Sequence, residues 1–182
     1  LALVQQLRTN VQAICVGAST INIDQPRLNI RVERSVDFQP MIVILDPRNM
    51  VDMEWIKRAL DNDRSIVLFR SKGVDFLHDN LTVHESMTDD KSANWRMVIN
   101  DLYDHQVHGL LVEGGSSVFR SILDVRFFDE LWITRVPQLF GSDAVPFISE
   151  GSPIELDVTL ESMASYGEDV VMKYRNNHAF SI

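Results

Sequence analysis

Four short, unbroken apolar runs alternate with amphipathic segments in this chain, and that alternation limits the fold more than any other feature. Ala13 to Val16 ends at Gly17, Met41 to Leu45 is rich in branched residues and bounded by Pro40 and Asp46-Pro47, and Ser65 to Phe69 and Leu110 to Val112 complete the set. A half-exposed strand alternates polar and apolar residues; a strand apolar throughout is covered on both faces. Between the runs, Leu1 to Arg8, Met53 to Leu60, Ser92 to Tyr103 and Ser117 to Leu123 carry apolar residues at helical spacing. After residue 130 the style changes. Leu131 to Val136, Ile154 to Ser165 and Val170 to Tyr174 alternate as antiparallel strands do. The reading is an α/β fold: a mainly parallel mixed sheet flanked by helices, with antiparallel strands at the C-terminal end.

A chain of 182 residues suits a single domain, and the 14 prolines and glycines are scattered rather than gathered into a linker. Its formal charge of −9 disfavours nucleic acid and anionic membranes as partners. No apolar run approaches the ~20 residues that cross a bilayer. Cys15 is the one cysteine and sits within an apolar strand, so an inert core thiol and a reducing, cytoplasmic setting are expected. His105 and His108 have no third ligand at metal-site spacing, so no metal centre is expected.

Two segments carry candidate chemistry. In Leu110-Leu111-Val112-Glu113-Gly114-Gly115-Ser116-Ser117-Val118-Phe119 a strand runs through two glycines into a helix. Glycines admit a ligand close to the backbone, and a helix start offers free N–H groups and a positive dipole end to a phosphate. The pattern is neither the dinucleotide fingerprint nor the Walker loop. By itself it fits a phosphate cradle and a plain turn with a serine N-cap equally. Glu113, at the C-terminal end of a buried strand, points toward the crevice where α/β sheets take ligands. The second segment, Val16-Gly17-Ala18-Ser19-Thr20 through Arg31, offers a hydroxyl, the Asp24 carboxylate and the guanidiniums of Arg27 and Arg31 within a short stretch. Guanidinium forks suit phosphate; a solvated loop accounts for the same residues.

Together the two segments resemble a known family. Val16, Gly17, Thr20, Asp24, Pro26, Leu28 and Arg31 follow the signature V-G-x-x-T-x-x-x-D-x-P-x-L-x-x-R. Leu111 to Ser116, then Asp129-Glu130-Leu131 and Pro137-Gln138-Leu139-Phe140-Gly141, are similar to its second signature. The family is the pyrimidine reductase of riboflavin biosynthesis, also found as the C-terminal half of bifunctional deaminase–reductases, with a dihydrofolate reductase-like fold. The resemblance runs from about Leu7 to Tyr174. It implies NADPH-dependent reduction of the ribosyl group of a 5-phosphoribosylamino pyrimidine to a ribityl group, and a homodimer. It further implies that Arg8, Leu28, Arg31 and Glu113 meet the substrate. Gly17, Thr20, Asp24, Gly114, Gly115, Ser116, Ser117 and Val118 would meet the cofactor, with Asp24 and Glu113 as the catalytic candidates.

Two departures stand out. The family's opening strand, with a Ser-x-Asp-Gly turn, has no counterpart before the helix that holds Arg8, which predicts a gap in the sheet. Pro47 stands where some relatives offer the cofactor a hydroxyl. Another reductase on the same fold, or a nucleotide-binding remnant without catalysis, are the competing readings.

Overall fold

A computed structural model describes residues 2–31, 38–141 and 144–178. Helix α1 (Ala2–Thr9) leads into β1 (Ala13–Gly17), α2 (Ala18–Asp24), β2 (Met41–Asp46), α3 (Met53–Leu60), β3 (Ile66–Arg70) and β4 (Leu81–His84). Then come α4 (Lys91–Asp104), β5 (Leu110–Gly114), α5 (Ser116–Val125), β6 (Glu130–Arg135), β7 (Val158–Tyr166) and β8 (Asp169–Asn176). The first five strands form one parallel sheet in the order β4-β3-β2-β1-β5, and the last three an antiparallel sheet in the order β6-β8-β7.

The solid apolar runs are explained by what covers them. Alternate side chains of a strand point to opposite faces. Ile14, Val16, Ile42, Ile44, Ile66 and Leu68 meet Ile21, Trp55, Ile56 and Leu60 on one face. Ala13, Cys15, Val43, Leu45, Val67 and Phe69 meet Trp95, Val98, Leu102, Val118 and Ile122 on the other. Strands β1 and β3 are buried along their whole length. Polar chemistry is thereby pushed to the strand ends.

The structure departs from the sequence reading in four places. Residues 18–24 are helical rather than a loop, because Ile21 is drawn fully into the core and takes its neighbours with it. Strand β4, four residues long, has too little pattern to be seen in sequence; it pairs with β3 at the sheet edge. Strand β7 starts at Val158, with Ile154 and Leu156 packed against the core instead. Helix α5 is capped by Gly115, at φ +90, and no serine side chain caps it.

The five parallel strands are continuous, and the late strands make a sheet of their own. Among the described residues no helix is long and apolar enough to cross a membrane.

Trp95 tests the α4 face. It is 2% exposed, and its indole N–H donates to Ser121 Oγ at 2.9 Å, joining α4 to α5. Trp95→Ala should lower the free energy of urea unfolding by about 3–5 kcal/mol, the usual cost of emptying so large a buried site. Trp95→Phe, which fills most of the volume, should cost clearly less.

Candidate active site

The sheet's C-terminal edge brings the two motif segments together. Gly17 ends β1 and Gly114 ends β5, and the two strands are neighbours. A Cβ on Gly17 would come within 2.9 Å of a Val118 methyl, and one on Gly115 would come within 2.9 Å of Thr20 Oγ1. Gly114 and Gly115 also hold positive φ angles, +141 and +90, which strain any residue with a side chain. Gly17, Thr20, Gly114, Gly115 and Val118 therefore form one tight junction between the β1–α2 and β5–α5 turns. The first backbone bond of α5 runs from Phe119 N–H to the Gly115 carbonyl. The N–H groups of Ser116, Ser117 and Val118 precede it and have no helical acceptor. Arranged around a turn too close for side chains, they suit a phosphate.

Glu113 owes its direction to a register shift. Cys15 pairs with Val112 but Val16 pairs with Gly114, so Glu113 is the extra residue of a β-bulge. Bulges turn a side chain away from the regular alternation. Both Glu113 oxygens accept from Arg8, Nε to Oε1 and Nη2 to Oε2, each at 2.6 Å. The side chains of Arg8 and Glu113 are 8% and 17% exposed. Arg8 Nη1 donates onward to the Asn29 carbonyl at 2.8 Å. One guanidinium thus ties α1, β5 and the loop after α2.

The other sequence candidates fall as follows. Asp24 lies one helical turn beyond Thr20 on the same side of α2 and is exposed. Arg31 is exposed, its backbone N–H held by the side-chain oxygen of Gln5. Leu28 is 2% exposed and packs in the core, with φ +48. Its side chain thus faces the interior, and its backbone sits in the left-handed region that a leucine seldom adopts. Cys15 is fully buried, and the apolar surroundings push its thiol far above the usual range.

Several residues at these strand ends escaped the sequence reading. Asp46, fully buried, accepts from the N–H groups of Met50 and Val51 and lies 3.3 Å from Arg70 Nη2. Asn49 Oδ1 accepts from Arg70 Nε and from the Lys72 N–H, and Ser71 Oγ donates to the Pro47 carbonyl. The loops after β2 and β3 are stitched together, with the exposed cations Arg48 and Lys72 on their rim. His84 stacks on Phe69 at 4.7 Å and lies 2.7 Å from Asp101. Strand ends with charged partners distant in sequence give no local pattern to find. No cluster of metal-ligating side chains occurs among the described residues.

Comparison with known proteins settles the family. The RibD C-terminal domain model matches residues 1–172. The chain belongs to the RibD C-terminal domain family. It is 27% identical over 170 residues to the 2,5-diamino-6-ribosylamino-4(3H)-pyrimidinone 5′-phosphate reductase of Debaryomyces hansenii, covering 84% of this chain and 69% of that protein. It is 28% identical over 194 residues to the riboflavin biosynthesis protein RibD of Actinobacillus pleuropneumoniae, covering 95% of this chain and 48% of that one. The chain thus spans about half the length of that RibD relative. Among solved structures, the deaminase/5-amino-6-(5-phosphoribosylamino)uracil reductase of Thermotoga maritima superposes with a TM-score of 0.77 at 21% identity, over 96% of this chain and 48% of that one. The fold is that of the RibD reductases, dihydrofolate reductase-like.

The Arg8–Glu113 pair makes a direct test. Glu113→Ala leaves a nearly buried guanidinium without its carboxylate and should cost about 3–5 kcal/mol in chemical unfolding. The double variant Arg8→Met with Glu113→Leu should recover most of that loss, because an apolar pair removes the orphaned charge.

Proposed function

We propose that this chain is a reductase of riboflavin biosynthesis, taking a 5-phosphoribosylamino pyrimidine to its ribityl form with NADPH, and that it works as one reductase-like domain. The observation that carries the reading is the junction of Gly17 and Thr20 with Gly114, Gly115 and Val118 at the C-terminal edge of the parallel sheet, with the Arg8–Glu113 pair beside it. The reductase names of the relatives point the same way.

When bound, the reduced nicotinamide would supply a hydride. C1 of the ring-opened ribosyl group would gain that hydride, the C=N electron pair would move to nitrogen, and nitrogen would take up a proton. The chain's residues would do the rest. The N–H groups that open α5 would hold the cofactor's phosphates, and Thr20 would bound the turn. Glu113, locked by two bonds from Arg8, would present a fixed acceptor to the pyrimidine. Asp24, exposed one turn from Thr20, would stand where cofactor and substrate meet and hold the proton. Arg31, exposed and without an acidic partner among the described residues, would take the sugar phosphate as a fork.

Preference for NADPH over NADH has its support at the next strand ends. Arg48 and Lys72 place two exposed cations beside β2 and β3, where the adenosine end would lie, and a 2′-phosphate needs such charge. A homodimer draws support from β7, an edge strand whose Leu160, Met163 and Tyr166 are 49%, 66% and 51% exposed. The catalytically silent remnant keeps one supporting observation, the separate sheet of the late strands.

Titration with NADPH, followed by Trp fluorescence and then by turnover at 340 nm, separates the readings. Saturable binding with substrate-dependent oxidation is expected; binding without oxidation would favour the remnant. In the active chain, Arg31→Ala should raise the KM for the phosphorylated substrate about tenfold or more with little change in kcat, as loss of ground-state binding does. Replacing Arg48 and Lys72 together by Ala should weaken NADPH about tenfold or more, the loss expected when a phosphate's charge partners go, and leave NADH affinity unchanged. An equal loss for both nucleotides would place the 2′-phosphate elsewhere.

A further inference from the structure

The loop that leaves α2 has no ladder or helix to hold it. Among the described residues none of the backbone–backbone bonds involves 26–31, yet five consecutive carbonyls there, Pro26 to Ile30, accept from side chains, the last from Gln39 Nε2 at 3.5 Å. Trp55 Nε1 donates to Pro26 O at 3.1 Å and Arg8 Nη1 to Asn29 O at 2.8 Å. The two between belong to one residue. Arg64 Nη1 donates to Arg27 O at 3.0 Å and Nη2 to Leu28 O at 2.8 Å, while Nη2 also reaches Pro40 O at 2.8 Å. Arg64 therefore grips the loop where it departs and the chain where it returns to β2.

The residue is unusual in its surroundings. Arg64 is 7% exposed, and among the described residues it has no carboxylate partner. Its Nε–H, also buried, meets no acceptor there. A buried cation held only by carbonyl dipoles is costly to keep. Burial lowers its pKa to about 10, and the nearby positive charge of Arg8 adds to that. Its own turn does not require the side chain. Asp61, Asn62, Asp63 and Arg64 close the end of α3 with backbone bonds of their own. The side-chain bonds of Arg64 go to the loop and to Pro40, where the chain returns to β2. The residue at its centre, Leu28, sits at φ +48, a backbone that surroundings must impose on a leucine.

We propose that Arg64 is a positioning residue of the reductase: by holding the carbonyls of Arg27 and Leu28 it sets the course of 27–31, and so where Arg31 stands toward the phosphorylated sugar, without touching the substrate. This rests on the reductase reading for its kinetic consequence and on the loop geometry alone for its structural one.

Arg64→Lys is the test. It keeps the charge and replaces a planar fork spanning three carbonyls with a single ammonium. The folded variant should show far-UV dichroism and NADPH affinity like the parent's. Its KM for the phosphorylated pyrimidine should rise about tenfold or more while kcat changes less than about threefold, the signature of misplaced ground-state binding. Amide hydrogen exchange should accelerate in 26–31 and not in β1, β2 or β3. A folded variant with parental KM and parental exchange at 26–31 overturns the proposal. So does a uniform loss, with NADPH affinity, KM and exchange across the sheet worsening together. Should Arg64→Lys fail to fold, Arg64→Gln, whose amide still reaches one carbonyl, is read by the same measurements. If the parent chain turns over no substrate, the reductase reading fails by itself. Exchange then decides: acceleration confined to 26–31 sustains Arg64 as the loop's anchor, and unchanged exchange overturns it.

Discussion

A parallel sheet covered on both faces leaves little room for polar chemistry except at the strand ends. Strands β1 and β3 are buried through their length and β2 from Ile42 onward, and helices on each side close the two layers. Free backbone donors, charged side chains and glycine turns consequently gather at the C-terminal edge. Gly17, Asp46, Arg70 and Gly114 are all last residues of their strands. Chemistry lies there because the interior has no place for it.

Arg8 links that edge to the rest of the molecule. Its guanidinium reaches a carboxylate 105 residues away and a carbonyl 21 residues away, so α1, β5 and the 25–31 loop cannot move independently. The bulge at Glu113 makes the pairing possible, since regular alternation would send that side chain elsewhere. The loop itself is shaped from outside, by Trp55, Arg64, Arg8 and Gln5 rather than by bonds of its own.

Much of this was legible in residue order, and the failures are instructive. The apolar runs marked β1, β2, β3 and β5 within a residue or two, because burial on both faces leaves a local trace. Residues 18–24 did not read as helical, since Ile21 and Ile23 are β-branched and the segment is a mere seven residues. Tertiary burial of Ile21 overrode that propensity. Strand β4 was too short to show a period. Glu113 and the paired glycines stood out by motif, whereas Arg64, Asp46 and Arg70 did not. Their partners are backbone groups and charges brought close by folding alone.

By itself the sequence determined the alternation of helices and buried strands, the change to antiparallel pattern near residue 130, and the two motif segments. Each of these depends on neighbours within a few positions, where periodicity and turn chemistry act. Only the tertiary structure decided that the two segments meet through Thr20 and Gly115, that Glu113 turns out of register toward Arg8, and that the late strands form a separate sheet. Those outcomes depend on contacts between residues tens of positions apart. Packing selects such contacts, and no local preference encodes them.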